Sequence, residues 1–183
     1  MKRRTFLSSL GAASAATGLP AAETSASAPA ARTLTTDVLV IGGGIAGTIA
    51  SIQAGRLGAR TTLVESGSQL GGTTTTAGVD FPGLFHAWGK QVIAGIGWDL
   101  VKAAVDLGSG DLPDFTKPTG RQHWRHQVRI CGALYAALAE EAAVKAGVQL
   151  RYYESPLAVT ATPDGWRVRL AGKGTLEIGR AHV

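Results

Sequence analysis

The sequence predicts an α/β protein: a parallel sheet with helices packed on it, plus a small antiparallel hairpin. Three observations predict that class. A strand, glycine turn, helix and second strand follow one another over residues 37–72. A helix, a glycine and a strand follow over residues 130–153. An alternating segment over residues 160–171 is broken by Pro163-Asp164-Gly165, a hairpin turn signal. The length of 183 residues suits one ordinary domain, and 45% hydrophobic content with 25 glycines is globular rather than disordered.

The first unit carries the chemistry. Residues 38–41 (VLVI) are an unbroken β-branched and Leu run, the pattern of a parallel strand covered on both faces. Gly42, Gly44 and Gly47 follow at G-x-G-x-x-G spacing. The first glycine allows a tight turn, the second lets backbone approach a pyrophosphate, and the third lets helix and strand pack closely. Helix N–H groups from Ile45 onward then face the phosphates, with the positive end of the helix dipole behind them. The helix is predicted over residues 45–57, with Ala46, Ala50 and Ala54 toward the sheet and Gly58 as its stop. Residues 61–64 are the next strand, closed by Glu65, a carboxylate placed to accept from a ribose hydroxyl 18 residues past Gly47. A lone G-x-G-x-x-G is weak evidence; with strand, helix and acid all in place it specifies a Rossmann-like dinucleotide-binding unit.

Behind Glu65 come the loop Ser66-Gly67-Ser68-Gln69-Leu70-Gly71-Gly72 and the run Thr73-Thr74-Thr75-Thr76. The threonines read either as a polar loop or, directly after a Gly-Gly pair, as a segment touching the cofactor. A helix is expected over residues 97–107 and a surface loop over 108–120, where prolines gather. Arg121, His123, Arg125 and His126 then cluster. A metal site is a poor match, because metals want three or four converging ligands and the arginines oppose a cation. An anion-binding patch and a solvated positive face both remain open. Residues 130–146 read as an amphipathic helix, with Leu134, Leu138 and Ala142 inward and Glu140 and Glu141 exposed. The single cysteine, Cys131, excludes an internal disulfide and reads as a buried packing thiol in this helix. Residues 148–153 form the next strand, and Trp166, Val168 and Leu170 the inward face of the hairpin.

The succession of strand, G-x-G-x-x-G, helix, strand, acid and Leu70-Gly71-Gly72 resembles the FAD-binding half of glutathione-reductase-type flavoproteins. More narrowly, it is similar to the bacterial FAD-dependent oxidoreductases related to fumarate reductase and the HI0933-like flavoproteins. The resemblance spans roughly residues 37–164. It implies a three-layer ββα fold in which the hairpin belongs to a small crossover sheet. It implies FAD as cofactor, with Gly42, Gly44, Ile45, Ala46 and Gly47 on the pyrophosphate, Glu65 at the adenosine ribose and Ser66 next to it among the cofactor-binding residues. Gly71, Gly72 and Thr73 would follow the pyrophosphate and ribityl chain, and the backbone of Leu157 would clamp the adenine. Residues 79–127 would be an insertion toward the flavin and substrate side, making His86 and Lys90 candidates for substrate contact; a surface histidine is the plainer alternative. Ser51 departs from the Ala or Gly usual in the family, but is small enough for close packing.

The two ends read differently. Residues 1–30 have a basic start, a weakly apolar middle and a small-residue end, and Arg3-Arg4-Thr5-Phe6-Leu7 resembles a twin-arginine export signal. Ala26-Ser27-Ala28 and Ala28-Pro29-Ala30 both offer cleavage sites; a disordered Ala/Ser tail is the alternative. The middle is too short and polar for a membrane span. The expected destination is the periplasm or the cell exterior, with the export machinery as partner. Residues 177–183 back-translate as GAG ATC GGA AGA GCA CAC GTC, a common sequencing adapter in frame. The expectation is a natural domain over residues 31–176 whose frame continues beyond, leaving the fold and the cofactor site incomplete as given.

The formal charge of +5 does not indicate nucleic acid, since three positives are Lys2, Arg3 and Arg4 and the rest lack a stripe or stacking aromatics. The reading that results is an FAD-dependent oxidoreductase moving a hydride or electron pair between flavin and a small organic substrate. No acid–base residue is assignable. An NAD-dependent dehydrogenase shares the glycine turn and acid, but Leu70-Gly71-Gly72 and the long insertion favour FAD. A non-redox FAD protein is the remaining alternative.

Overall fold

The computed structural model describes residues 32–172 and 176–179. The export signal predicted over residues 1–30 lies outside these residues.

A parallel sheet forms the centre, in the order β2 (Val38–Ile41), β3 (Thr61–Glu65), β6 (Gln149–Tyr152). Val38 lies opposite Thr61, and Glu65 opposite Tyr152. Parallel neighbours need a crossover, and α1 (Ile45–Arg56) supplies it between β2 and β3. α3 (Gly132–Lys145) leads into β6, and α2 (Ile96–Ala104) packs against both helices. The period of two along β3 divides the interior. Leu63 enters a core with Ile52, Val101, Tyr135 and Ala139 on the helix side. Val64 points the other way, to Val168 and Leu170.

That second core is closed by an antiparallel hairpin, β7 (Ser155–Thr162) and β8 (Gly165–Ala171), as the turn signal predicts. Val168 and Leu170 are buried and Trp166 half-buried, so the predicted inward face is the observed one. The sheet continues through β9 (Leu176–Gly179) to β1 (Arg32–Thr35), which pair in parallel. Helices, parallel sheet and antiparallel sheet give the three layers expected. β1 replaces the linker expected before the first strand, and β9 runs across the boundary drawn at residue 176.

Several local expectations are corrected. β2 is only half-buried and Ile41 is 47% exposed, because among the described residues β2 has a strand on one side only. On α1 the buried residues are Thr48, Ser51 and Ile52, whereas Ala46 and Ala50 are exposed. The closest approaches are made by Gly47 and Gly55, which turns the 47–51–55 stripe inward and the alanine stripe aside. α2 ends at Ala104, and a wider turn, Val105–Ser109, follows it, with Gly108 at φ 83°. On α3 the fully buried side is Tyr135, Ala136, Ala139 and Ala143; Leu134, Leu138 and Ala142 flank it half-buried. Cys131 is exposed, because it is the extended N-cap of α3 and stands outside the helix.

Candidate functional site

The parallel strands deliver the predicted site to one end of the sheet. Gly42 leaves β2 at φ +100°, a conformation that L side chains rarely adopt, and its N–H bonds to the Val64 carbonyl at 2.8 Å. A Cβ on Gly47 would stand 2.0 Å from the Gly42 carbonyl oxygen, so this glycine lets α1 seat on the turn. Thr48 holds the same turn from inside, its hydroxyl donating to the Gly43 carbonyl at 2.9 Å.

Gly44 is different. It is the N-cap of α1 with no side-chain cap, no acid follows in the first turn, and an added Cβ would meet nothing within 4 Å. The Thr48 N–H bonds back to the Gly44 carbonyl, so Ile45, Ala46 and Gly47 are the first-turn residues whose N–H groups have no acceptor inside the helix. An uncapped helix N-terminus facing open space, with neither acid nor side chain competing, fits a pyrophosphate.

Glu65 stands at the end of β3. Its Oε2 accepts the Gly43 N–H at 2.6 Å, and its Oε1 accepts the Gly67 N–H at 2.6 Å and the Ser66 hydroxyl at 3.2 Å. The carboxylate therefore ties the glycine turn to the loop after β3, and Oε2, with one donor, retains a lone pair for another. Beside it, the Tyr152 hydroxyl donates to Glu140 at 2.7 Å. Burial first, then that bond and the Glu140 and Glu65 charges, hold Tyr152 well above the usual phenol range, so it stays neutral.

The Gly-Gly loop closes onto the turn through backbone. The Gly71 N–H donates to the Gly43 carbonyl at 2.8 Å, and Gly44 and Gly71 form a parallel bridge. A Cβ on Gly72 would lie 3.0 Å from the Gly44 Cα. The threonine run opens as a 3-10 turn, Gly72–Thr74, with Thr74 buried and Thr73 exposed. Gly42, Gly44, Ile45, Ala46, Gly47, Glu65, Ser66, Gly71, Gly72 and Thr73 are thus brought to one place. Leu157 joins less directly. The Tyr153 and Glu154 N–H groups bond to the Gly67 and Glu65 carbonyls, and the chain then enters β7, where Leu157 sits at a register shift between Pro156 and Ala158. There it has no partner in the β7–β8 register and is 57% exposed.

Sequence reasoning passed over Gly43, whose N–H is on Glu65 and whose Cβ would strike Leu70 at 2.6 Å. Its signal was its place as the middle glycine of the Gly42-Gly43-Gly44 run. The insertion residues lie elsewhere in the structure. His86 stacks on Phe115 with centroids 3.7 Å apart and meets Trp98 edge-on, so it is not a surface histidine. Its Nδ1 is buried without a hydrogen-bond partner. Burial, then the neighbouring His126, push its pKa below the usual value. His126 is buried as well, with Nε2 3.1 Å from the Lys117 carbonyl, whereas Lys90, Arg121, His123 and Arg125 are exposed. Three of the four cluster residues, Arg121, His123 and Arg125, therefore form an exposed basic face and His126 belongs to the interior.

Residues 37–183 match the family described as FAD dependent oxidoreductase. Dihydrolipoyl dehydrogenase 2, mitochondrial, of Arabidopsis thaliana is 38% identical over 77 residues, covering 39% of this chain and 15% of that protein. Among solved structures, the flavin-dependent monooxygenase PieE in complex with FAD and substrate superposes with a TM-score of 0.54 at 16% identity, over 82% of this chain and 30% of that one. THI4 of Thermovibrio ammonificans gives 0.51 at 15% identity, over 80% of this chain and 55% of that one. At such identities the likeness is one of fold. The chain spans 15% of the curated relative and 30% to 55% of these two structures.

Proposed function

The chain belongs to the FAD dependent oxidoreductase family, and from that premise we propose that it holds the ADP half of FAD in a protein that moves a hydride or electron pair between flavin and a small organic substrate. The observation that carries this reading is the convergence at Gly44. An uncapped helix start, the Glu65-bonded glycine turn and the Gly71-Gly72 loop meet there around space that no side chain fills.

In this reading the N–H groups of Ile45, Ala46 and Gly47 hold the pyrophosphate, while Gly42 and Gly44 let it approach. Glu65, with Ser66 beside it, takes a ribose hydroxyl on the remaining lone pair of Oε2. Gly71, Gly72 and the exposed Thr73 hydroxyl line the path toward the flavin, and the Leu157 backbone at its bulge meets the adenine. FAD supplies the redox chemistry when bound; the chain's residues bind and orient it.

Export by the twin-arginine route, to the periplasm or exterior of a bacterial cell, is part of the same proposal. Its support is Arg3-Arg4-Thr5-Phe6-Leu7 ahead of a weakly apolar stretch. That route carries folded proteins, which suits a chain that loads its cofactor before export. The R3K/R4K variant is expected to stay in the cytoplasm in a secretion assay, and unimpaired export would overturn this part.

The cofactor reading is tested by titrating FAD and NAD into the protein while following flavin fluorescence. Saturable quenching by FAD that NAD does not reverse is expected. A colourless protein that takes NAD instead would overturn it. Anaerobic mixing with candidate organic substrates then reads bleaching of the flavin band, which a non-redox role does not produce.

A further inference from the structure

A cavity of about 660 Å³ opens between the hairpin of β4 (His86–Ala87) and β5 (Lys90–Gln91) and the segment carrying Lys117 to His126. It shares no residue with the glycine turn, and its size suits a small organic ligand. Three features of its wall call for an occupant.

The first is Trp88. It sits at the hairpin tip with φ 52°, followed by Gly89 at φ 69°, a two-residue turn in which both residues take the left-handed conformation that favours Asn and Gly. A tryptophan there strains the backbone, and at 92% exposure the indole gains nothing from the core. Neither turn chemistry nor packing accounts for it, whereas an aromatic wall for a ligand does.

The second is rigidity. Phe115 stacks on His86 and meets His126 edge-on at 5.6 Å. His126, 5% exposed and lining the cavity, is bonded to the Lys117 carbonyl and so pins the segment that bears Lys117.

The third is charge. Lys117, His123 and His126 line the cavity together with Thr116 and Thr119, and no carboxylate lines it. From residue 115 to residue 139 the chain carries Lys117, Arg121, Arg125 and Arg129 with no Asp or Glu. The Asp114 partner of Lys117 is 3.4 Å away in an exposed pair, which is a weak competitor for the ammonium.

We propose that this cavity binds a planar aromatic carboxylate, its ring against Trp88 and its carboxylate toward Lys117 and His123. The site stands independently of the FAD reading.

The test is calorimetric titration of the full chain with benzoate, benzamide and acetate. Benzoate is expected to bind saturably at one site, with benzamide and acetate each weaker by about tenfold. W88G keeps a residue suited to positive φ while removing the ring, and K117Q removes the cation. Each is expected to weaken benzoate by about fivefold, and W88G not to lower the thermal midpoint. Absence of saturable benzoate binding, equal binding of benzamide, or unchanged affinity in both variants would overturn the site. FAD titrated into the same samples separates the two readings, since loss of either leaves the other measurable.

Discussion

Glu65 and Gly43, 22 positions apart, are joined by a 2.6 Å hydrogen bond from the Gly43 N–H to Oε2. The other oxygen of the same carboxylate accepts the Gly67 N–H at the same distance. The residue expected to hold a ribose therefore also braces the two loops that shape the site, and its substitution has two consequences rather than one.

In E65Q one of those N–H groups faces an amide NH₂ instead of an acceptor. Unfolding in urea should show a loss of about 1–2 kcal/mol, and FAD affinity should fall by about tenfold or more. Loss of affinity with unaltered stability would show that the carboxylate does not brace the turn.

Gly44 and Gly47 should separate binding from folding. G47A sets a methyl group 2.0 Å from the Gly42 oxygen and should cost about 3 kcal/mol of stability. G44A meets nothing within 4 Å and sits at φ −60°, so its stability should change by less than about 0.5 kcal/mol. It nevertheless narrows the space over the helix start, and flavin titration should show FAD binding lost.

Arg151 and Glu154 form a forked ion pair at 2.5 and 2.6 Å, with Glu154 only 2% exposed and Arg151 21%. E154A leaves the guanidinium largely buried without its partner and should lower stability by about 3 kcal/mol. Because the Glu154 N–H bonds to the Glu65 carbonyl, the variant should also loosen the Gly67 loop, visible as faster amide exchange there.

His86 makes stability depend on pH. Its folded pKa lies below the ordinary 6.5, so between the two values the unfolded chain binds more protons. Its contribution is complete above about 6.5 and is lost as pH falls toward the folded value. H86F, which keeps a ring over Phe115, should flatten the acid side of the unfolding-midpoint profile. An unchanged slope would place the dependence on another group, with His126 the nearest.

Cys131, exposed at the N-cap of α3, should react with a thiol reagent in native buffer at a rate close to that in urea. Protection until unfolding would restore the buried position expected from the helical pattern.

Much of the site was legible because its chemistry is local. The turn needs glycine at Gly42 for its positive φ and at Gly47 for close packing, and the acid must end the adjacent strand; all three are matters of spacing. The Gly71-Gly72 loop was legible for the same reason, since backbone approaches backbone only where side chains are missing. Helix faces were less so. The Ala46, Ala50, Ala54 stripe satisfies helical periodicity as well as the buried stripe does, and small residues alone do not say which side meets the sheet.

The sequence by itself determined the order of the parallel-sheet strands and the helices between them, the β7–β8 hairpin and the residues around the phosphate turn, because each follows from local backbone preference or a fixed period. Tertiary structure decided what depends on partners far along the chain. It gave Glu65 a bracing role through Gly43, took Cys131 out of the core and set β1 against β9. It also drew His86 and His126 into one aromatic cluster around Phe115, 29 and 11 positions from them. Burial and hydrogen-bond partnership are properties of contacts between distant segments, and no local pattern encodes them.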